Sequence, residues 1–203
     1  MKKNIRNYFG FKLESVFLRL RTFLFLFLTP ILFFAQINDI IPSLKSKPSL
    51  GFKFETKYFL LEDNVSQLRE LKPYFEFNNV FRVGVGYCWL KKSKGRLLRF
   101  TAFNFFAEYL INFNKYWSAE VPLDFGLGTI KTQDKGFYAF FEPSFIIEYK
   151  GFKQFNLGFG TGLRLTAHDK SIYEYGLTVQ TLIVRVNLKF VEIYKYFKQL
   201  KNT

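Results

Sequence analysis

From Trp117 to Gly128 the chain alternates, residue by residue, between two very different kinds of side chain. Trp117, Ala119, Val121, Leu123, Phe125 and Leu127 hold the odd positions, while Ser118, Glu120, Pro122, Asp124, Gly126 and Gly128 hold the even ones. Successive side chains of a β-strand point to opposite faces, so this is a strand with one apolar face and one face of glycine and single charges. Phe155, Leu157, Phe159, Leu163 and Leu165 repeat the contrast against Asn156, Gly158, Gly160, Gly162 and Arg164. So do Phe81, Val83, Val85, Tyr87 and Trp89 against Arg82, Gly84, Gly86 and Cys88. A strand that shows its polar face to water favours Lys, Thr and Glu, because glycine weakens strands. Glycine mixed with charge instead suits the crowded interior of a narrow barrel, with the bulky face turned outward. A soluble lipocalin-like carrier, with the opposite face inward, is the alternative that alternation alone leaves open.

The pattern predicts eight strands: Gly51–Leu61, Leu71–Phe77, Val80–Leu90, Leu97–Ile111, Tyr116–Ile130, Phe137–Tyr149, Phe152–Thr166 and Tyr175–Phe190. Asn78-Asn79 tolerates the positive φ of a two-residue hairpin turn; a single strand from 71 to 90 is the other reading. Parity slips near Thr181–Leu182, which suggests a bulge. Short turns at Asn78-Asn79, Asn112–Lys115 and Lys150-Gly151 alternate with longer polar connections at Glu62–Glu70, Leu90–Arg96, Lys131–Gly136 and Ala167–Glu174. Such asymmetry fits an all-β, eight-stranded antiparallel up-and-down transmembrane barrel with short periplasmic turns and longer outer loops.

The first 35 residues read as an address. Met1–Arg21 is basic, Thr22–Phe34 is an uncharged apolar run of 13 residues containing Pro30, and Ala35 offers a small residue before Gln36. Basic, apolar, then small is the layout of a secretory signal peptide cleaved near Ala35, and the run is short of the roughly 20 residues a spanning helix needs. An uncleaved N-terminal anchor is the alternative. No other segment is long and apolar enough for such a helix, so a membrane-spanning chain must cross with strands. The expected organisation is a signal peptide (1–35), a periplasmic lead (36–48), a barrel (49–190) and a C-terminal tail (191–203).

Charge and composition agree. The address carries six cations and one acid; removing them from the chain's 30 Lys/Arg and 16 Asp/Glu leaves 24 against 15. The remaining bases are scattered and no nucleic-acid signature accompanies them, so anionic membrane head groups are the simpler partner. Aromatic residues reach 21%, with 29 Phe and 12 Tyr, more than a soluble core needs and what lipid-facing girdles use. In the predicted register the inward faces carry Glu55, Glu76, Glu108, Glu120, Asp124, Glu142 and Glu148 with Lys53, Lys57, Lys72, Arg82, Arg164, Arg185 and Lys189. Seven acids against seven bases read as an interior charge network that plugs the lumen, while Arg99 is the only charge singled out on the outward faces.

Together FRVGVGY (Phe81–Tyr87), VPLDFGLG (Val121–Gly128), FEPS (Phe141–Ser144) and GFGTGLR (Gly158–Arg164) give the chain a likeness: over roughly residues 49–190 it resembles the small eight-stranded outer-membrane β-barrel proteins of Gram-negative bacteria. The resemblance implies outer-membrane residence, assembly by the barrel-insertion machinery, and a structural or interaction role exerted through outer loops whose ligand is unknown. Such barrels end on an aromatic of the last strand. Phe190 fills that place, but thirteen residues follow it. In that tail Ile193, Phe197 and Leu200 oppose Lys195, Lys198 and Lys201, as in a short amphipathic helix on the periplasmic leaflet.

Catalytic chemistry has little to stand on. His168, the only histidine, lies near Asp169 and Ser171 in the predicted last outer loop; barrel enzymes that modify lipid A use a His and a Ser near the outer face, so His168 and Ser171 define the enzymatic alternative. Glu120 and Asp124 share a strand face, yet pairing with interior arginines accounts for them. With one His and one Cys, Cys88, neither a metal cluster nor an intrachain disulfide is expected. GFGTG lacks the following helix that a dinucleotide loop requires, so no cofactor is expected.

Overall fold

The computed structural model describes residues 40–61, 64–91, 99–131, 135–168 and 178–201. The expected signal peptide and its cleavage point fall outside the described residues. Eight antiparallel strands follow one another: β1 (Ser49–Leu61), β2 (Asn64–Phe77), β3 (Phe81–Leu90), β4 (Arg99–Asn112), β5 (Trp117–Lys131), β6 (Lys135–Tyr149), β7 (Phe155–His168) and β8 (Val179–Lys189). Each pairs with its sequence neighbours, and β8 pairs back onto β1, closing the barrel. A helix, α1 (Phe190–Lys201), follows directly.

Closure leaves no edge, and the register is tilted as a closed barrel requires. A path along the hydrogen bonds leaves β1 in mid-strand at Glu55 and passes Glu70, Cys88, Ala102, Gly128 and Tyr138 to reach β7 at its last residue, His168. Pro73, Pro122 and Pro143, which lack an N–H, each fall in a two-residue gap of one ladder. Pairing resumes beyond each gap in the same register, so the prolines cost hydrogen bonds without shifting a face.

Asn78 and Asn79 have φ of 52° and 54°, and Val80 donates to the Phe77 carbonyl at 3.0 Å. The two-residue hairpin turn therefore replaces the single long strand. Other boundaries move. Glu62–Glu70, expected as a loop, belongs mostly to β2, with Ser66, Leu68 and Glu70 turned inward. Lys150-Gly151 is part of a longer turn, because β7 starts at Phe155 and not at Phe152. Residues 62–63 and 132–134 are all that separate β1 from β2 and β5 from β6, so the expected asymmetry of loop length survives only after β3 and β7. No bulge interrupts β8: Thr181 and Leu182 pair in unbroken register with β7. The apparent slip in parity arises because an apolar residue, Ile183, points inward.

The turns 78–80, 113–116 and 150–154 lie at one end, with the start of β1 and the end of β8; this end is called the turn rim and the other the far rim. Outward faces are apolar, with Phe103 72%, Phe125 52% and Phe159 59% exposed. Rings cluster at both ends, Tyr87 with Trp89 (5.8 Å) toward the far rim and Trp117 with Tyr149 (4.9 Å) at the turn rim. Not every large ring faces out, however. Tyr74, Phe100, Phe106, Tyr138 and Phe140 are buried inside. Glycines make room for them: a Cβ on Gly84 would lie 2.7 Å from Phe106 Cζ, and one on Gly126 would fall into the Phe140 ring. Gly126→Val should therefore overpack the lumen and cost about 1–3 kcal/mol in urea unfolding from lipid vesicles. Adding Phe140→Leu should recover more than half of that loss.

Candidate functional site

Alternation aims the inner faces of all eight strands at a shared lumen, and what collects there is charge. Toward the far rim Lys57, Lys72 and Arg164 meet Glu55, Glu70, Asp124 and Glu142. Lys57 Nζ lies 3.2 Å from Glu70, 3.1 Å from Asp124 and 3.1 Å from Glu142. Lys72 Nζ lies 3.0 Å from Glu55, 2.8 Å from Glu70 and 2.8 Å from Asp124. The Arg164 guanidinium spans Glu142 (2.5 Å) and Glu70 (2.8 Å). Toward the turn rim a second layer joins Lys53, Arg82 and Arg185 to Glu76, Glu108, Glu120 and Glu148. Arg82 contacts Glu76 and Glu120, each at 2.5 Å, and Glu148 at 3.3 Å. Lys53 meets Glu108 at 2.5 Å, and Arg185 holds Glu108 at 2.8 Å together with Glu120. Arg185 also reaches Glu55 at 2.6 Å and so ties the two layers together.

Each layer has four acids and three bases, and a neutral donor serves an acid in each. Thr181 Oγ1 donates to Glu142 at 2.9 Å and Asn156 Nδ2 to Glu148 at 2.9 Å. The inward rings supply further partners for the cations: Lys53 sits 3.9 Å from the centre of Phe106, and the Arg164 guanidinium 4.1 Å from that of Phe140. Apart from Glu76, these fourteen charged residues are essentially shielded from solvent. Above them, nearer the far rim, Leu68, Cys88, Phe100, Ala102, Ile130, Tyr138 and Phe140 form an apolar cluster across the lumen.

All ten residues singled out from the sequence (Glu55, Glu76, Arg82, Glu108, Glu120, Asp124, Glu142, Glu148, Arg164, Arg185) are thus brought into one connected set. Two corrections apply to the wider count. Glu70, read as a loop residue, is a central member, and Lys189 makes no ion pair among the described residues. The balance is eight acids to six bases, not seven to seven. The signal for Glu70 was its place at alternate spacing with Lys72 and Tyr74, obscured because Gln67 and Arg69 make the outward face polar there too.

Carboxylate oxygens of Glu55, Glu70 and Asp124 lie within 4.8 Å of one another, a spacing that a metal ion can exploit. The Lys72 ammonium already contacts all three, so the cation among them is an amine. Glu120 and Asp124 belong to different layers: Arg82 and Arg185 hold Glu120, as expected, whereas Asp124 is held by Lys57 and Lys72 and not by arginines. His168 ends β7 opposite Tyr138, while Asp169 and Ser171 lie outside the described residues. Cys88 is buried. In the turn after β6, burial pushes the Lys150 ammonium below its ordinary pKa despite nearby Glu148, and its Nζ donates to Asn112 Oδ1 at 2.5 Å.

No protein-family model matches the chain, and no curated protein matches it. Solved structures do. The N-terminal β-barrel domain of Pseudomonas aeruginosa OprF superposes with a TM-score of 0.51 at 7% identity, over 70% of this chain and 98% of that one. Neisserial surface protein A gives 0.48 at 12% identity, over 69% and 95%. Ail, the attachment invasion locus protein of Yersinia pestis, gives 0.44 at 12% identity, over 69% and 94%. At such identity the likeness to the OprF domain is one of fold alone: both are β-barrels, this chain a closed antiparallel one of eight strands.

Replacing Lys72 by Met would remove the ammonium that Glu55, Glu70 and Asp124 share, leaving Asp124 with Lys57 alone while Glu70 keeps Lys57 and Arg164 and Glu55 keeps Arg185. We expect a loss of about 3–5 kcal/mol in urea unfolding, with partial recovery when Asp124→Asn removes one of those charges.

Proposed function

We propose that this chain is a resident of an outer membrane, a non-catalytic barrel with a plugged lumen that acts as a structural element or as an interaction platform through its far-rim loops. One observation carries the reading: the polarity of the barrel is inverted relative to a water-soluble one. Its ionised groups are enclosed, and its exterior between the rims is apolar. A charge at the bilayer midplane costs roughly 2–4 kcal/mol, whereas enclosed charges persist when paired. A carrier of apolar ligands would need the reverse, an apolar cavity inside and ions outside. Eight strands enclose little more than the volume that side chains fill, and here two ionic layers and an apolar cluster occupy it, which supports a plug over a pore.

The far rim then faces outward and the turn rim the periplasm, where α1 lies on the membrane surface. Phe190, Tyr194 and Phe197 are exposed on that helix alongside Lys198, a combination suited to the lipid interface. Signal-peptide cleavage near Ala35 and delivery by the barrel-insertion machinery complete the proposed route.

Three measurements test this. The chain should fractionate with the outer membrane and migrate faster on gels when unheated; recovery in the soluble fraction without detergent would refute the address. In planar bilayers it should give no stable conductance steps. Phe125→Arg places a cation on the exterior midway along β5 and should cost about 2–4 kcal/mol in vesicles. In a soluble protein the same change, at a residue 52% exposed, would be nearly neutral.

A further inference from the structure

The exterior of β4 to β7 is graded from the far rim inward. At the rim Arg99 pairs in register with Lys131, and Lys131 with Lys135, so three cationic residues occupy neighbouring positions on adjacent strands. Like charges in that arrangement are destabilising. Arg99 and Lys131 are exposed, and neither makes an ion pair among the described residues. Two residues inward, roughly 7 Å along the strand, Thr101 pairs with Thr129. Two further on, Phe103, Leu127, Ala139 and Ala167 form one row. The small alanines between larger neighbours leave a groove of about 830 Å³, walled by Phe105, Phe141 and Leu165. That volume lies within the roughly 300–1,000 Å³ of ordinary ligand pockets.

Cation, hydroxyl, then apolar groove is the order of phosphate, ester and acyl chain in a membrane lipid. We propose that this face holds one phosphate-headed lipid of the surrounding bilayer. Its phosphate sits at Arg99 and Lys131, its ester region at Thr101 and Thr129, and one acyl chain across Ala139 and Ala167. A second copy of the chain is a poor occupant: inserted in the same sense and docked on the same face, it would bring its own Arg99 and Lys131 to the level of these. The inference rests on the membrane reading above, since only then does the groove meet lipid.

Of the two tryptophans, Trp89 stands in register with Thr101 and Trp117 is at the opposite rim. A Trp117→Phe chain therefore carries a single reporter beside the proposed site. It is folded into phosphatidylcholine vesicles containing a small fraction of acyl-brominated phosphatidic acid or, in parallel, acyl-brominated phosphatidylcholine. Each engaged cation should enrich the anionic lipid about fivefold, so brominated phosphatidic acid should quench Trp89 far more than brominated phosphatidylcholine at equal mole fraction. Arg99→Gln with Lys131→Gln should bring the two lipids level, and Lys115→Gln at the turn rim should change nothing. Ala139→Phe with Ala167→Phe should reduce the excess by filling the groove; Ala167→Leu serves if the pair does not fold, as judged by heat-modifiable migration. Equal quenching in the starting chain, or an excess that survives loss of Arg99 and Lys131, overturns the lipid site and leaves the membrane reading standing. Quenching by neither lipid overturns both.

Discussion

In a hydrocarbon surround, every backbone N–H and C=O of a spanning segment must find its partner within the protein. Strands meet that demand only when the sheet closes, and the pairing of β8 with β1 supplies the closure. Much else depends on this one constraint. Closure fixes which positions face in and which face out, because a one-residue slip anywhere would turn a whole strand inside out. It also explains how prolines are tolerated at positions 73, 122 and 143: each interrupts one ladder locally while the strand's other neighbour and its register remain in place.

A closed eight-stranded sheet sets the width of its lumen, so the interior must be filled by side chains of matched size. The chain fills it in levels. An apolar cluster lies toward the far rim, and beneath it two ionic layers are stitched together by Arg185. Phe106 and Phe140 fit beside Gly84 and Gly126 and offer their faces to Lys53 and Arg164. Enclosing so many charges carries a heavy desolvation cost, offset only when each has several partners. That is why the acids and bases form shared clusters in place of isolated pairs.

Polarity changes again at the far rim. There the interior becomes apolar, at Leu68, Phe100, Ile130 and Tyr138, while the exterior acquires Arg69, Arg99 and Lys131. This reversal is what a barrel leaving the hydrocarbon layer requires. In the membrane reading proposed above, the outside there meets head groups and water, and the inside no longer has to separate ions from lipid. The reversal also explains where sequence reading lost its footing. Over Val65–Glu70 the outward positions include Gln67 and Arg69 and the inward ones include Leu68, so the polarity contrast that marks a strand fades although the strand continues.

The alternation in β3, β5 and β7 by itself determined strands with two unlike faces, because side-chain direction in a strand is a local property with period two; the glycines and single charges on one face, not the alternation, pointed that face inward. The Asn78-Asn79 turn was legible for the same reason, since left-handed backbone is a local preference of asparagine. Only the tertiary structure decided which charges meet. Glu55 touches Arg185 and Lys72, and Arg82 touches Glu148, through a tilted register set by all eight strands at once. Glu70 joins the network, Lys189 stays out of it, and five rings turn inward, Tyr74, Phe106 and Phe140 of them against glycines, because these outcomes depend on how far around and along the barrel each residue is carried. No count of residues along the chain encodes that displacement; the sum of eight pairings does.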